Sequence, residues 1–220
     1  MTRILTLVAA LAAVALGSAL FMGRPASEAL VMPALAEDTA IEDLVLPDRV
    51  LGDPEAPVTV VEYASYTCGH CGNFHGDQFK KLKAEYIDTG KVRFIHREVY
   101  FDRIGLWGGI IANCGGDMRY YGISGMLYDQ QDQWLASSEA ATIIESLRTI
   151  GRVAGLNDDE LDAGLADEDM VTRLVATYQH HAGADEINAT PTLVIDGEKH
   201  SNMSYEALKE IIEARLAEAG

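Results

Sequence analysis

Two of the chain's three cysteines stand three positions apart, in Tyr66-Thr67-Cys68-Gly69-His70-Cys71-Gly72-Asn73-Phe74-His75. A pair at this spacing can attach haem, hold a metal, staple a loop or exchange disulfides. Haem attachment needs His directly after the second Cys, and that position is Gly72. A structural zinc site takes four ligands, usually as two separate pairs. Here Cys68, Cys71 and His75 supply three candidates. A staple stabilises by closing a long loop, and a four-residue ring removes little chain entropy. The redox reading has a mechanism. A thiolate is the reactive form, and the free N–H groups and dipole of a helix N-terminus stabilise it. His70, between the cysteines, could add positive charge or a hydrogen bond. Cys68 is then the exposed nucleophile, and Cys71, one step further in, resolves the mixed disulfide. The two would form the redox disulfide Cys68-Cys71. A copper- or zinc-binding chaperone using Cys68, Cys71 and His75 is the alternative from another class of function.

The surrounding pattern predicts the elements that place this pair. Val58 to Tyr63 is β-branched and nearly all apolar, as in a strand buried on both faces. A helix follows the cysteines, with Phe79, Leu82 and Tyr86 at helical spacing and Gly90 past its end. Val92 to Val99 reads as a second strand, so the first half is a βαβ unit with the cysteines at the helix entrance. Glu62 interrupts the first strand six residues before Cys68. Either it is a buried carboxylate that exchanges a proton with Cys71, or the strand lies near an edge and Glu62 is solvated.

Residues 102 to about 184 read as all-helical, with a capping start at Asn157-Asp158-Asp159-Glu160. Thr190-Pro191 opens a late strand, an Asp196-Gly197 hairpin turn returns it, and Ser204 caps a last helix. Residues 37 to 57 are a lead-in of turn chemistry with at most one short strand.

The chain has 220 residues, a net charge of -17 and no low-complexity tract. That acidity repels phosphate backbones and excludes nucleic acid as a partner. Arg3 precedes an uncharged run over residues 4–23, and Ala34-Leu35-Ala36 fits a cleavage site. Residues 1–36 thus read as a signal peptide, or as an N-terminal anchor, since the run is long enough to span a bilayer. Export places the cysteines in an oxidising compartment.

With Cys68-Gly69-His70-Cys71 after a strand and Thr190-Pro191 before the hairpin, the chain resembles the thioredoxin superfamily. The long segment between the second strand and Thr190 is similar to the insertion of the DsbA family. VEYASYTCGHC, REVYFDRIGLW and His200-Ser201-Asn202-Met203 resemble its alphaproteobacterial members. The resemblance implies an α/β thioredoxin fold with an inserted all-helical domain. Residues 44–100 and 186–220 would form the thioredoxin domain, and residues 101–185 the insertion. It implies a periplasmic thiol-disulfide oxidoreductase, a dithiol oxidase that needs no cofactor or resident metal. Its partners would be unfolded exported polypeptides with free cysteines and a DsbB-like membrane oxidase that reoxidises it. The Thr190-Pro191 bond would be cis and lie against Cys68, and both residues would bind substrate backbone. Two departures imply a milder oxidant: Gly69 stands where the family usually has Pro, and Thr190 where it often has Val. A reductase or isomerase therefore remains the alternative among enzymes. The lead-in is too short for the dimerisation domain of disulfide isomerases, which implies a monomer. Some relatives pair a cysteine near Cys114 with one that would fall at Gly164, so Cys114 is expected to be unpaired and buried. His180, His181 and His200 read as surface residues.

Overall fold

In the computed structural model the described residues are 40–220. The segment read as a signal or anchor, residues 1–36, lies outside them. Five strands form one mixed sheet in the order β1-β3-β2-β4-β5. They are β1 (Val50–Leu51), β2 (Val58–Ala64), β3 (Val92–Glu98), β4 (Thr192–Ile195) and β5 (Glu198–Ser201). β2 pairs parallel with β3 and antiparallel with β4. It is therefore interior, as its apolar sequence requires.

Alternation along β2 sends its side chains to two cores. Val58 and Val60 join Phe94, Leu193 and Ile195 on one face, with Leu82, Leu208 and Ile212 packed over them. Val61 and Tyr63 join Ile95, Val194 and Ala182 on the other. Leu208 and Ile212 come from α10 (Tyr205–Ala219), whose Ser204 cap accepts from Ala207 N at 3.2 Å. Asp196 and Gly197 both have positive φ, 46° and 86°, as a two-residue hairpin turn needs.

The helix expected after the cysteines is broken. It runs as α2 (Gly69–Gly76), kinks at Asp77, continues as α3 (Gln78–Leu82) and ends in a π turn, Lys83–Ile87. Leu82 and Tyr86 still reach the core, and Gly90 stops the chain at φ 74°. The lead-in holds one helical turn, α1 (Ile41–Leu44), which takes in Leu44, before the short β1. Between β3 and β4 lie α4 (Arg103–Cys114), α5 (Gly116–Asp129), α6 (Gln131–Trp134), α7 (Ala140–Val153), α8 (Asp158–Leu165) and α9 (Glu168–Ala184). Asn157 and Glu160 form the capping box that starts α8. The helical core of Ile111, Ile123, Leu127, Trp134, Ile143 and Leu147 also takes in Tyr66 and Cys71, with Cys68 at its margin. The helices therefore wall one side of the cysteine pair.

Cys114 is a free thiol, half-buried and not fully enclosed. It ends α4 against α8, and a Cβ at Gly164 would lie 1.9 Å from its sulfur. The missing side chain at Gly164 is what seats it. Gly164→Ala should lower stability by about 1–2 kcal/mol through overpacking. In a Cys114→Ala background the same change should be near neutral or stabilising, because the remaining Cβ is 3.5 Å away and alanine favours helix. Chemical denaturation of the four-variant cycle measures that coupling, and additive effects would refute the contact.

Candidate active site

Cys68 is the N-cap residue of α2, with the extended backbone (φ -85°, ψ 112°) typical of that position. The turn leaving β2 closes as Cys68 N donates to Ser65 O at 3.1 Å. The Thr67 hydroxyl ties the turn to Asp102, the cap of α4, at 2.8 Å. The Cys68 sulfur accepts from the backbone N–H of Cys71 at 3.3 Å. As a thiol it lies 3.5 Å from the carbonyl oxygen of Thr190. The Thr190-Pro191 bond is cis, as the resemblance implies, and Pro191 is buried.

The pair is electrostatically polarised. Hydrogen bonding from the Cys71 thiol pulls the Cys68 pKa down to about 5, with help from the Thr190 side chain and the backbone N–H groups of Cys71 and His70. Partial burial opposes this and loses. Cys71 is fully buried, and its pKa moves up: its proton serves Cys68, burial disfavours its anion, and the Glu62 charge repels it. Both cysteines are free thiols, the reduced state of the pair. His70 is exposed in the first turn of α2, and it is its backbone N–H that reaches Cys68.

Glu62 is completely buried on the interior strand, which overturns the solvated-edge alternative. Its register partner on β3 is His96. Its hydrogen-bond partner is His75 of α2, Nε2 to Oε2 at 2.8 Å. Glu62 Oε1 and His75 Nδ1 have no partner. The His75 ring stacks on Tyr128 with centroids 3.9 Å apart.

A directed chain of hydrogen bonds begins at Tyr128, beside this pair. The Tyr120 hydroxyl donates to Glu98 at 2.9 Å, so it must accept from His96 Nδ1 at 2.8 Å. His96 Nε2 then accepts from the Tyr128 hydroxyl at 3.0 Å. That assignment needs a neutral ring, and burial, aided by His75, holds the His96 pKa well below its ordinary value. Glu98 also accepts from Tyr66, Tyr100 and Asn113. Burial lifts its carboxyl above the usual range against those donors. The Glu98 hub joins the end of β3 to α4, α5 and the turn before Cys68.

Glu62, His75 and His96 bring possible metal-ligand atoms within 4.8 Å of one another. His75 Nε2 is bonded to Glu62 and both His96 nitrogens to tyrosines, while His75 Nδ1 has no hydrogen-bond partner. Among the described residues the set of Cys68, Cys71 and His75 does not bring its ligand atoms within 4.8 Å of one another, as Glu62, His75 and His96 do. His180, His181 and His200 are half-buried, and Nε2 of His181 and of His200 is enclosed without a hydrogen-bond partner.

Sequence reading missed His96, Tyr128, Glu98 and Gln131. His96 had a signal. Val58-Thr59-Val60-Val61-Glu62 and Val92-Arg93-Phe94-Ile95-His96 each carry a titratable residue at the fifth position, on the face of their first and third residues, and the parallel register sets the two side by side. Glu98 ends β3, and its partners Tyr66, Tyr100, Asn113 and Tyr120 are distant or unmarked in the sequence; Tyr128 and Gln131 come from the helical segment, where no periodicity marks a polar residue that turns inward.

The family described as Thioredoxin matches residues 45–214. A Rickettsia bellii protein named, by inference, a protein-disulfide oxidoreductase is 31% identical over 173 residues, covering 78% of this chain and 66% of that protein. The match thus spans about two thirds of that relative's length. Disulfide bond formation protein D of Bacillus subtilis is 26% identical over 178 residues, 76% of each chain. Among solved structures, alpha-DsbA1 of Wolbachia pipientis superposes with a TM-score of 0.73 at 28% identity, over 82% of this chain and 98% of that one.

Proposed function

This chain belongs to the thioredoxin family, and from that premise we propose that it is a DsbA-type thiol-disulfide oxidoreductase, a dithiol oxidase for exported proteins. The observation that carries the proposal is the opposed poise of the two sulfurs. Cys68 sits at a helix entrance with its pKa near 5, while Cys71 is buried and holds its proton.

In the oxidised protein a substrate thiolate attacks Cys68 Sγ and the Cys68-Cys71 bond breaks. The electron pair leaves on Cys71, which takes up a proton. A second substrate thiolate then attacks the substrate sulfur bound to Cys68, and Cys68 leaves as a stabilised thiolate. The substrate has lost two electrons and gained a disulfide, and the protein holds two reduced cysteines. A low leaving-group pKa speeds the release and makes the disulfide more oxidising.

Glu62 is the candidate proton carrier for Cys71, and its charge already acts on that thiol. His75 is placed to share the proton. Thr190 and Pro191, beside the Cys68 sulfur, are the candidate contacts for substrate backbone. His70 has its position in the first turn to offer. Residues 101–185 act in this reading as a helical domain that walls the site.

The basic start and apolar run of residues 3–23 support a periplasmic location, free or anchored. Reoxidation would fall to a DsbB-like membrane partner, and the protein would act as a monomer. The reductase or isomerase reading rests on Gly69-His70 and Thr190. Equilibration of the cysteine pair in graded glutathione buffers separates the two. The expected midpoint lies at or above about -180 mV, the range of protein disulfide isomerase. A midpoint near about -270 mV, the range of thioredoxin, would overturn the oxidase and favour the reductase.

A further inference from the structure

Gln131 is buried at the start of α6, and its side chain reaches out of the helical segment into the turn that carries Cys68. Its Nε2 donates to the carbonyl of Tyr66 at 2.7 Å and to the carbonyl of Cys68 at 3.1 Å. These two carbonyls flank Thr67-Cys68. The Cys68 carbonyl also accepts from Cys71 N at 3.0 Å and Gly72 N at 3.1 Å, the opening bonds of α2. One amide therefore grips the chain on both sides of the nucleophile, at the point where the loop becomes helix.

The grip is anchored from behind. Trp134, 2% exposed, donates from its indole nitrogen to Leu127 O at 2.8 Å and fixes α6 to α5. It is also fitted from the front. A Cβ at Gly72 would lie 2.4 Å from Gln131 Oε1, so the amide occupies the space a side chain would need.

We propose that Gln131 is a positioning residue for Cys68: its amide clamps the Tyr66 and Cys68 carbonyls and so holds the cysteine in the N-cap geometry that keeps its sulfur on the Cys71 N–H. The helical segment thereby sets the reactivity of a nucleophile it does not itself supply. The inference rests on the oxidoreductase reading above and adds to it a residue of the opposite structural layer. The physical basis is the shortness of the cap. An N–H to sulfur contact at 3.3 Å weakens steeply with small rotations of the capping residue. The dihedrals of Cys68 place the sulfur over the helix end, and Gln131 adds a side-chain hold to the backbone bonds that set them.

The test uses two independent ways of releasing the clamp. Gln131→Met keeps length and packing and removes the donor. Gly72→Ala pushes the amide aside and leaves both cysteines and Gln131 in place. Alanine also favours a helix over glycine, so Gly72→Ala need not destabilise the fold. Thiolate absorbance of the reduced protein, followed against pH, reads the Cys68 pKa in each. Each single variant should raise it by about one unit, a tenfold loss of thiolate below the pKa. The exchange rate with a small disulfide at acid pH should fall in proportion. The double variant should shift the pKa no further than the larger single shift, because both changes remove the same contact. Shifts under about 0.2 units in both variants, or additive shifts in the double, would overturn the proposal. If Gln131→Met alone fails to fold, Gly72→Ala decides. A parent protein without a low-pKa thiolate would overturn the oxidoreductase reading and this inference together. A low-pKa parent with unmoved variants overturns only the role of Gln131.

Discussion

Cys71→Ala should convert the protein into a disulfide trap. Cys68 loses the hydrogen bond of the Cys71 thiol but keeps the helix entrance and its backbone N–H donors, so its thiolate still attacks a disulfide-bonded peptide and expels one sulfur as thiolate. The mixed disulfide then has no internal thiol to break it. Resolution by a neighbouring thiol draws on a large effective concentration, and external thiols at millimolar levels replace it poorly. Release should slow by more than about a thousandfold. Non-reducing electrophoresis after incubation with an oxidised peptide should show a stable adduct. Cys68→Ala should give none, because Cys71 is fully buried and keeps its proton. An adduct in Cys68→Ala, or none in Cys71→Ala, would reverse the roles assigned to the two sulfurs.

The placement of the two sulfurs was legible because it depends on local chemistry. A β-branched run, two cysteines and a helical period set the sequence of strand, cysteine pair and helix, and the structure adds the kink at Asp77 and the closing π turn. The caps at Asn157 and Ser204 and the Asp196-Gly197 turn are likewise local, and they form as read. What remained open was burial at long range. Glu62 could be placed on a strand, but its depth depends on β4, which arrives about 130 residues later. Its partner His75 was visible only as a neighbour of the cysteines, and α2 sets its ring on Glu62. Gln131, in a polar stretch between helices, reads as solvated until the helical layer is folded against the turn. Cys114 shows the converse. Its missing partner was legible at Gly164, while its half exposure depends on how α8 lies across α4.

The polarised pair also makes stability depend on redox state and pH, and the expected curve has a sign on each side. In reduced, folded protein Cys68 titrates near 5, whereas an unfolded cysteine titrates near 8.5. Between these values the unfolded chain binds one more proton than the folded one, so stability rises with pH. That contribution is complete above about 8.5 and is lost as pH falls through about 5. Cys71 acts in the opposite sense. Its folded pKa is raised, so above about 8.5 the unfolded chain ionises there and the folded one does not. Stability then falls. The oxidised protein has neither thiol, so subtracting its melting temperature from that of the reduced form at each pH cancels the other titrating groups. The difference should be flat below about pH 5, rise to a maximum near 8.5 and decline beyond it. Cys68 is half-exposed, and solvent screening cuts the full effect of the shift to about 2 kcal/mol. For a chain of this size that corresponds to about 5 °C. The same thiolate stabilisation favours the reduced protein and shifts its potential by about 40 mV toward oxidant. A difference that stays level from pH 5 to 8.5 would show that Cys68 is an ordinary thiol and would remove the driving force assigned to disulfide donation.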